Sequence, residues 1–128
     1  MWNEKRKTKI FCCYYGTLPW FYELPVVYSI CCRHKKYHSN TNFYSSGDFS
    51  AIIYADSSVE SIDITVDLQK KGLFGYSTVE TLSETFYNSY AIYEDSFNLD
   101  SSETYRIKVT FEVFTADDSE STVKYANE

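Results

Sequence analysis

From residue 46 onward the chain has no cysteine, histidine, tryptophan, proline or methionine. Each absence closes off a kind of chemistry. Without cysteine, this stretch has neither a disulfide framework nor a thiolate nucleophile. Without histidine, no imidazole can serve as general base or metal ligand, and none of the many Ser and Thr has the neighbour that a nucleophilic triad requires. What remains is carboxylate, hydroxyl and lysine. Paired carboxylates can serve a glycosidase, and Glu94-Asp95 and Asp117-Asp118 have that composition. Adjacent acids of this kind are more often turn residues and solvated faces. Asp56, Glu94, Asp95, Asp100, Asp117 and Asp118 fall at expected strand ends, yet no loop has the D-x-D-x-D-G pattern of a calcium site. The expectation is a protein that is not an enzyme and takes no cofactor.

The 128 residues suit one domain. The net charge of -6 conceals a division. Residues 1–45 hold seven Lys/Arg against two acids, whereas residues 46–128 hold five against sixteen. Such a split assigns the two stretches different roles. The acidic stretch would repel phosphate, which excludes nucleic acid as its partner.

The first stretch contains all four cysteines, both histidines and both prolines. Lys5, Arg6, Lys7 and Lys9 read as the basic start of a signal peptide, after which an apolar core of roughly 7–15 residues should follow. Residues 10–32 are long and nearly uncharged but contain Glu23, Pro19 and Pro25, which are costly within a spanning helix. A membrane anchor over 10–32 is one alternative, and membrane contact is expected only through residues 1–38. A metal site is another, from Cys31, Cys32, His34 and His38. The His spacing fits zinc, but vicinal cysteines diverge and do not. A third reading explains the crowding of Cys, Tyr and Trp. Back-translated with plausible codons and shifted by one nucleotide from Phe11, the segment becomes an apolar run directly after the basic start, which is the secretory pattern. Residues 1–45 are thus expected to be a signal-peptide-like or frame-shifted arm that packs poorly, with a domain over 46–128.

The acidic stretch alternates with period two. Ile62, Ile64, Val66 and Leu68 share one face of a segment whose other face is Ser61, Asp63, Thr65, Asp67 and Gln69. Tyr105, Ile107, Val109, Phe111 and Val113 alternate with Thr104, Arg106, Lys108, Thr110 and Glu112 in the same way. Helical spacing produces neither pattern, so both are strands with one face in water. Asp48–Ala55, Tyr76–Leu82, Tyr87–Phe97 and Glu120–Tyr125 are further strand candidates, separated by Ser/Asp/Asn clusters. The class is all-β, a sandwich of about six or seven strands. Asp63 and Asp67 are expected to run antiparallel beside Arg106 and Lys108, acids facing bases.

Leu99 and Tyr105 stand six apart before the longest alternation. This resembles the tyrosine corner of immunoglobulin-like and fibronectin type III sandwiches, where the phenol bonds back to the connection between sheets. Taken with Leu68-Gln69-Lys70-Lys71, Tyr105-Arg106-Ile107-Lys108 and the terminal strand ending in Tyr125, residues 48–127 resemble a group of small, secreted, uncharacterised β-sandwich proteins of Gram-positive anaerobes. Tyr76 and Leu82 replace the group's usual Trp, and Ser102-Glu103 replaces Gly before the tyrosine. The resemblance implies a signal peptide and an extracellular or cell-surface location, and no activity. Lys70-Lys71-Gly72-Leu73-Phe74-Gly75 is the most function-like loop, since Leu73 and Phe74 at a tip beside two lysines would meet a protein or surface ligand. The expected role is a binding module.

Overall fold

The computed structural model describes residues 37–128, which are all strand, turn and loop with no helix. Seven strands follow one another: β1 Tyr37–Phe43, β2 Asp48–Ala55, β3 Val59–Gly72, β4 Gly75–Phe86, β5 Tyr90–Ser96, β6 Tyr105–Thr115 and β7 Ser119–Asn127. They form two antiparallel sheets, one of three strands in the order β1-β2-β5 and one of four in the order β4-β3-β6-β7.

The core is the sum of the inward alternations. Ile62, Ile64, Val66 and Leu68 of β3 and Tyr105, Ile107, Val109, Phe111 and Val113 of β6 are all buried. From the other sheet come Phe49, Ala51 and Ile53 of β2 and Ala91 and Tyr93 of β5. Phe49 stacks on Phe97 at 5.3 Å and meets Tyr93 edge-on at 5.4 Å. Burial of each Val- or Ile-sized side chain is worth about 1.5–3 kcal/mol, so the two central strands dominate the stability of the fold.

The expected domain boundary near residue 46 differs from the structure. β1 lies before it and pairs with β2 along its whole length, from Tyr37 opposite Ala55 to Phe43 opposite Phe49. Charge and cysteine content set the expected boundary, and neither reports on strand pairing. β1 shows little hydrophobic alternation because only Phe43 is fully buried on its inner side. Residues 1–36, including Trp20, Phe21 and Tyr22, lie outside the described residues.

The tyrosine corner forms. The Asp100 amide donates to the Tyr105 hydroxyl at 3.3 Å, and Leu99 packs against the core. The turn before Tyr105 needs no glycine. The Glu103 amide reaches the Asp100 carbonyl at 3.1 Å, the Asp100 carboxylate accepts from the Ser102 amide and hydroxyl, and no residue of this turn has positive φ. Glycine is required elsewhere, at the β1–β2 turn. Gly47 has φ of 93° and its carbonyl accepts from the Phe97 amide at 3.0 Å, which ties the end of β5 to that turn.

Two register shifts modify β3. One lies at Val59/Ser61 and one at Leu68/Gln69. At the second, Leu68 faces Glu80 while Gln69 faces Thr78, so Val79 is an extra residue in β4. Beyond it the alternation of β4 changes phase, as a β-bulge requires. The inward side of β4 then reads Glu80, Leu82, Glu84, Phe86, and that of β7 includes Glu120 and Lys124. Charges thus stand on the inner side of both outermost strands.

The acid–base pairing expected between β3 and β6 is half present. Asp67 faces Lys108, but Asp63 faces Glu112 and Arg106 faces Gln69. The register is six residues off what Asp63–Arg106 pairing needs, because Asp63 stands opposite Glu112. Asp63 and Asp67 instead accept hydrogen bonds from the hydroxyls of Thr85 and Thr81 on β4, each at 2.7 Å. Apolar burial, not these weak charge pairs, sets the register.

Candidate functional site

The β3–β4 hairpin closes with Gly72 opposite Gly75, leaving Leu73 and Phe74 as its two tip residues. Both have negative φ, which excludes the primed two-residue turns, and the positive φ of 121° falls on Gly75. That is where a type I turn followed by a glycine bulge places it. The tip residues make no packing contact to speak of: Leu73 is 96% exposed and Phe74 104%. Folding stability gives no reason for two large apolar side chains in open water.

The lysines beside them differ. Lys70 pairs with Glu103 at 3.6 Å. Lys71 is exposed, its amide bonds to the Thr104 carbonyl, and among the described residues its ammonium has no carboxylate partner.

Behind the tip, the outer face of the four-stranded sheet holds an arrangement that sequence alone did not single out. The Arg106 guanidinium lies between two tyrosine rings, 3.9 Å from the centroid of Tyr76 on β4 and 4.6 Å from that of Tyr125 on β7. Its Nε donates to Gln69 Oε1 at 2.8 Å, and Gln69 Nε2 donates to Thr78 Oγ1 at 3.3 Å. The side chain is held by two cation–π contacts and one hydrogen bond, which fixes the plane of its remaining donors. Alternation placed Arg106 and Lys108 outward, but their neighbours depend on the β4 bulge and on the β6–β7 register. Tyr76 faces this outer side, opposite Lys71 and away from the core. Leu82 is half-buried against the core.

The other proposed groups are scattered. Of Cys31, Cys32, His34 and His38, only His38 lies within the described residues, on the outward face of β1 opposite Tyr54. Among the described residues no three His, Cys, Asp or Glu side chains come together to hold a metal ion. The acids at strand ends act locally: Asp56 caps the Ser58 amide, Asp95 the Ser96 amide and Asp118 the Ser119 amide. The Asp100 carboxyl is held below the usual carboxylate range, chiefly by its bonds from the Ser102 amide and hydroxyl. Tyr93 is pushed up by burial first, then by the charges of Asp95 and Glu84. No helix among the described residues is long and apolar enough to cross a membrane, and the candidate anchor at 10–32 lies outside them.

Comparison with protein-family models gives no match, and neither does comparison with curated proteins or with solved structures.

Proposed function

We propose that the chain is a secreted or cell-surface binding module of the immunoglobulin/fibronectin III-like kind, a binder rather than a catalyst, acting through the tip of the β3–β4 hairpin. The three-plus-four strand order and the Asp100–Tyr105 corner bond support the fold reading. The near-complete exposure of Leu73 and Phe74 carries the functional one. Covering both would contribute up to about 3–6 kcal/mol before the costs of association, roughly two to four decades of affinity. The rigid hairpin beneath them presents the tip without a large ordering cost.

Two measurements test this reading. Expression of the gene should place the protein in the medium or on the cell surface; recovery only from the cytoplasm would overturn the location. Surface components retained by the immobilised chain should be released when Leu73 and Phe74 are both changed to Ser. If the double variant retains the same components with the same affinity, the tip is not the binding site.

A further inference from the structure

Residues 37–128 contain sixteen acids and only five bases, Lys70, Lys71, Arg106, Lys108 and Lys124. Chance would scatter the bases over both sheets. Instead four of the five gather at one end of one sheet. Lys70 and Lys71 end β3, Arg106 follows one residue into β6, and Lys108 stands two residues further on. Lys71, Arg106 and Lys108 share the outer face, with Tyr76 opposite Lys71 and Tyr125 opposite Lys108. Among the described residues, neither Arg106 nor Lys71 has a carboxylate within ion-pair distance. A cationic island on an acidic domain is a place where an anion is favoured locally although the domain as a whole repels it.

The geometry of Arg106 says more than its charge. A guanidinium free to swing loses side-chain entropy when it binds, whereas this one is already clamped between Tyr76 and Tyr125 and bonded to Gln69. Its planar fork of donors is pre-organised for an oxyanion such as a carboxylate or sulfate. Around Arg106 the surroundings are neutral hydrogen-bonding groups, since Gln69, Thr78 and Asn127 lie in its cross-strand row; the row of Lys108 adds Thr81 and one acid, Asp67, whose carboxylate accepts from the Thr81 hydroxyl at 2.7 Å. This combination of one fixed cation, flanking lysine charge, aromatic rings and a flat field of hydroxyls and amides matches a polyhydroxylated polyanion. An acidic peptide strand fits less well. Its backbone would need an open sheet edge to pair with, and Arg106 stands on β6, an inner strand of the four.

We propose that this end of the outer face binds an acidic polysaccharide, with a uronate or sulfate group of one sugar seated on Arg106 and its neighbours reaching Lys71 and Lys108. The proposal builds on the binding-module reading by naming a ligand class for the sheet face behind the tip.

The test is affinity electrophoresis of the full chain through gels containing polygalacturonate, dextran sulfate, neutral dextran or poly-L-glutamate. Retardation by polygalacturonate assigns a uronate ligand and by dextran sulfate a sulfated one, with none expected from neutral dextran. Arg106→Gln should weaken the interaction about tenfold or more, and Arg106→Lys should recover little, because lysine lacks the planar fork. If Arg106→Gln lowers the melting temperature into the assay range, Lys108→Gln decides by the same criterion, since it leaves the tyrosine stack in place. Absence of retardation by both acidic polysaccharides overturns the proposal. So does retardation that Arg106→Gln leaves unchanged, which would assign binding to the basic residues before position 37. Equal retardation by poly-L-glutamate overturns the sugar assignment. The Leu73→Ser/Phe74→Ser variant should keep its polysaccharide binding, which separates this site from the tip.

Discussion

Replacing Gly47 by Ala should be among the most damaging single-methyl changes in this protein. Two costs add. A non-glycine residue at φ of 93° loses roughly 1–2 kcal/mol through its Cβ alone. The added Cβ would also collide with the Phe97 carbonyl oxygen and stand 3.2 Å from the Phe97 carbonyl carbon and 3.3 Å from Leu99 Cγ. Backbone cannot rotate away as a side chain can, so the turn must part from the end of β5. That motion breaks the Phe97–Gly47 hydrogen bond, worth about 1 kcal/mol net, and loosens Leu99 from the corner. The total is about 3 kcal/mol or more, and at roughly 4–8 °C per kcal/mol for a domain of this size the midpoint should fall by about 12 °C or more. Gly75→Ala supplies the control. Gly75 also has positive φ, 121°, but a Cβ there meets nothing within 4 Å. It should lose only the conformational part, about 1–2 kcal/mol. Thermal and urea unfolding followed by circular dichroism measure both. Equal losses at the two glycines would show that the close approach of Gly47 to Phe97 contributes nothing, and the account of this turn would fail.

Val109→Ala should destabilise by about 2 kcal/mol, because Val109 is fully buried at the centre of β6. Asp67→Ala, on the wet face, should cost under about 1 kcal/mol despite its bond from Thr81 and its place opposite Lys108; a reversed order in urea titrations would contradict the division of energies between the two faces. For Asp100 the lowered pKa means the folded state favours the ionised form, so its contribution is present above the ordinary aspartate range and fades as pH falls through the lowered value. The stability gap between wild type and Asp100→Ala should therefore be widest near neutrality and narrow in acid, and a gap that does not change with pH would rule out the carboxylate's charge as the agent.

Six of the seven strands were legible in the sequence, and the reasons differ by strand. β3 and β6 announced themselves because each has one dry face and one wet face, which forces period two. β2, Asp48–Ala55, was located to the residue. β1 was missed because its outward positions are His38, Asn40 and Asn42 and its inward ones include Ser39 and Thr41, so polarity does not alternate. β4 was placed only in part because the Val79 bulge breaks its phase. The same bulge hid the Tyr76–Arg106–Tyr125 stack. Its members lie on three strands, and their meeting depends on two registers that no local pattern encodes. Leu73 and Phe74 were legible for the opposite reason. Two glycines bracket them, and nothing distant acts on their position.

The charges inside the outermost strands bear on how copies of this protein behave together. β4 and β7 run antiparallel to each other, so a second copy displaced sideways along the sheet brings its β7 against β4 with the polarity of an ordinary next strand. Repeated, that step makes a continuous ribbon instead of a closed pair. Nothing in the backbone forbids it. Glu80 and Glu84 along β4, Glu120 on β7 and the acidic surplus of residues 37–128 oppose it. The sheet is a tile whose edges are kept apart by charge, and in concentrated solution the salt that screens such charges acts directly on its tendency to join.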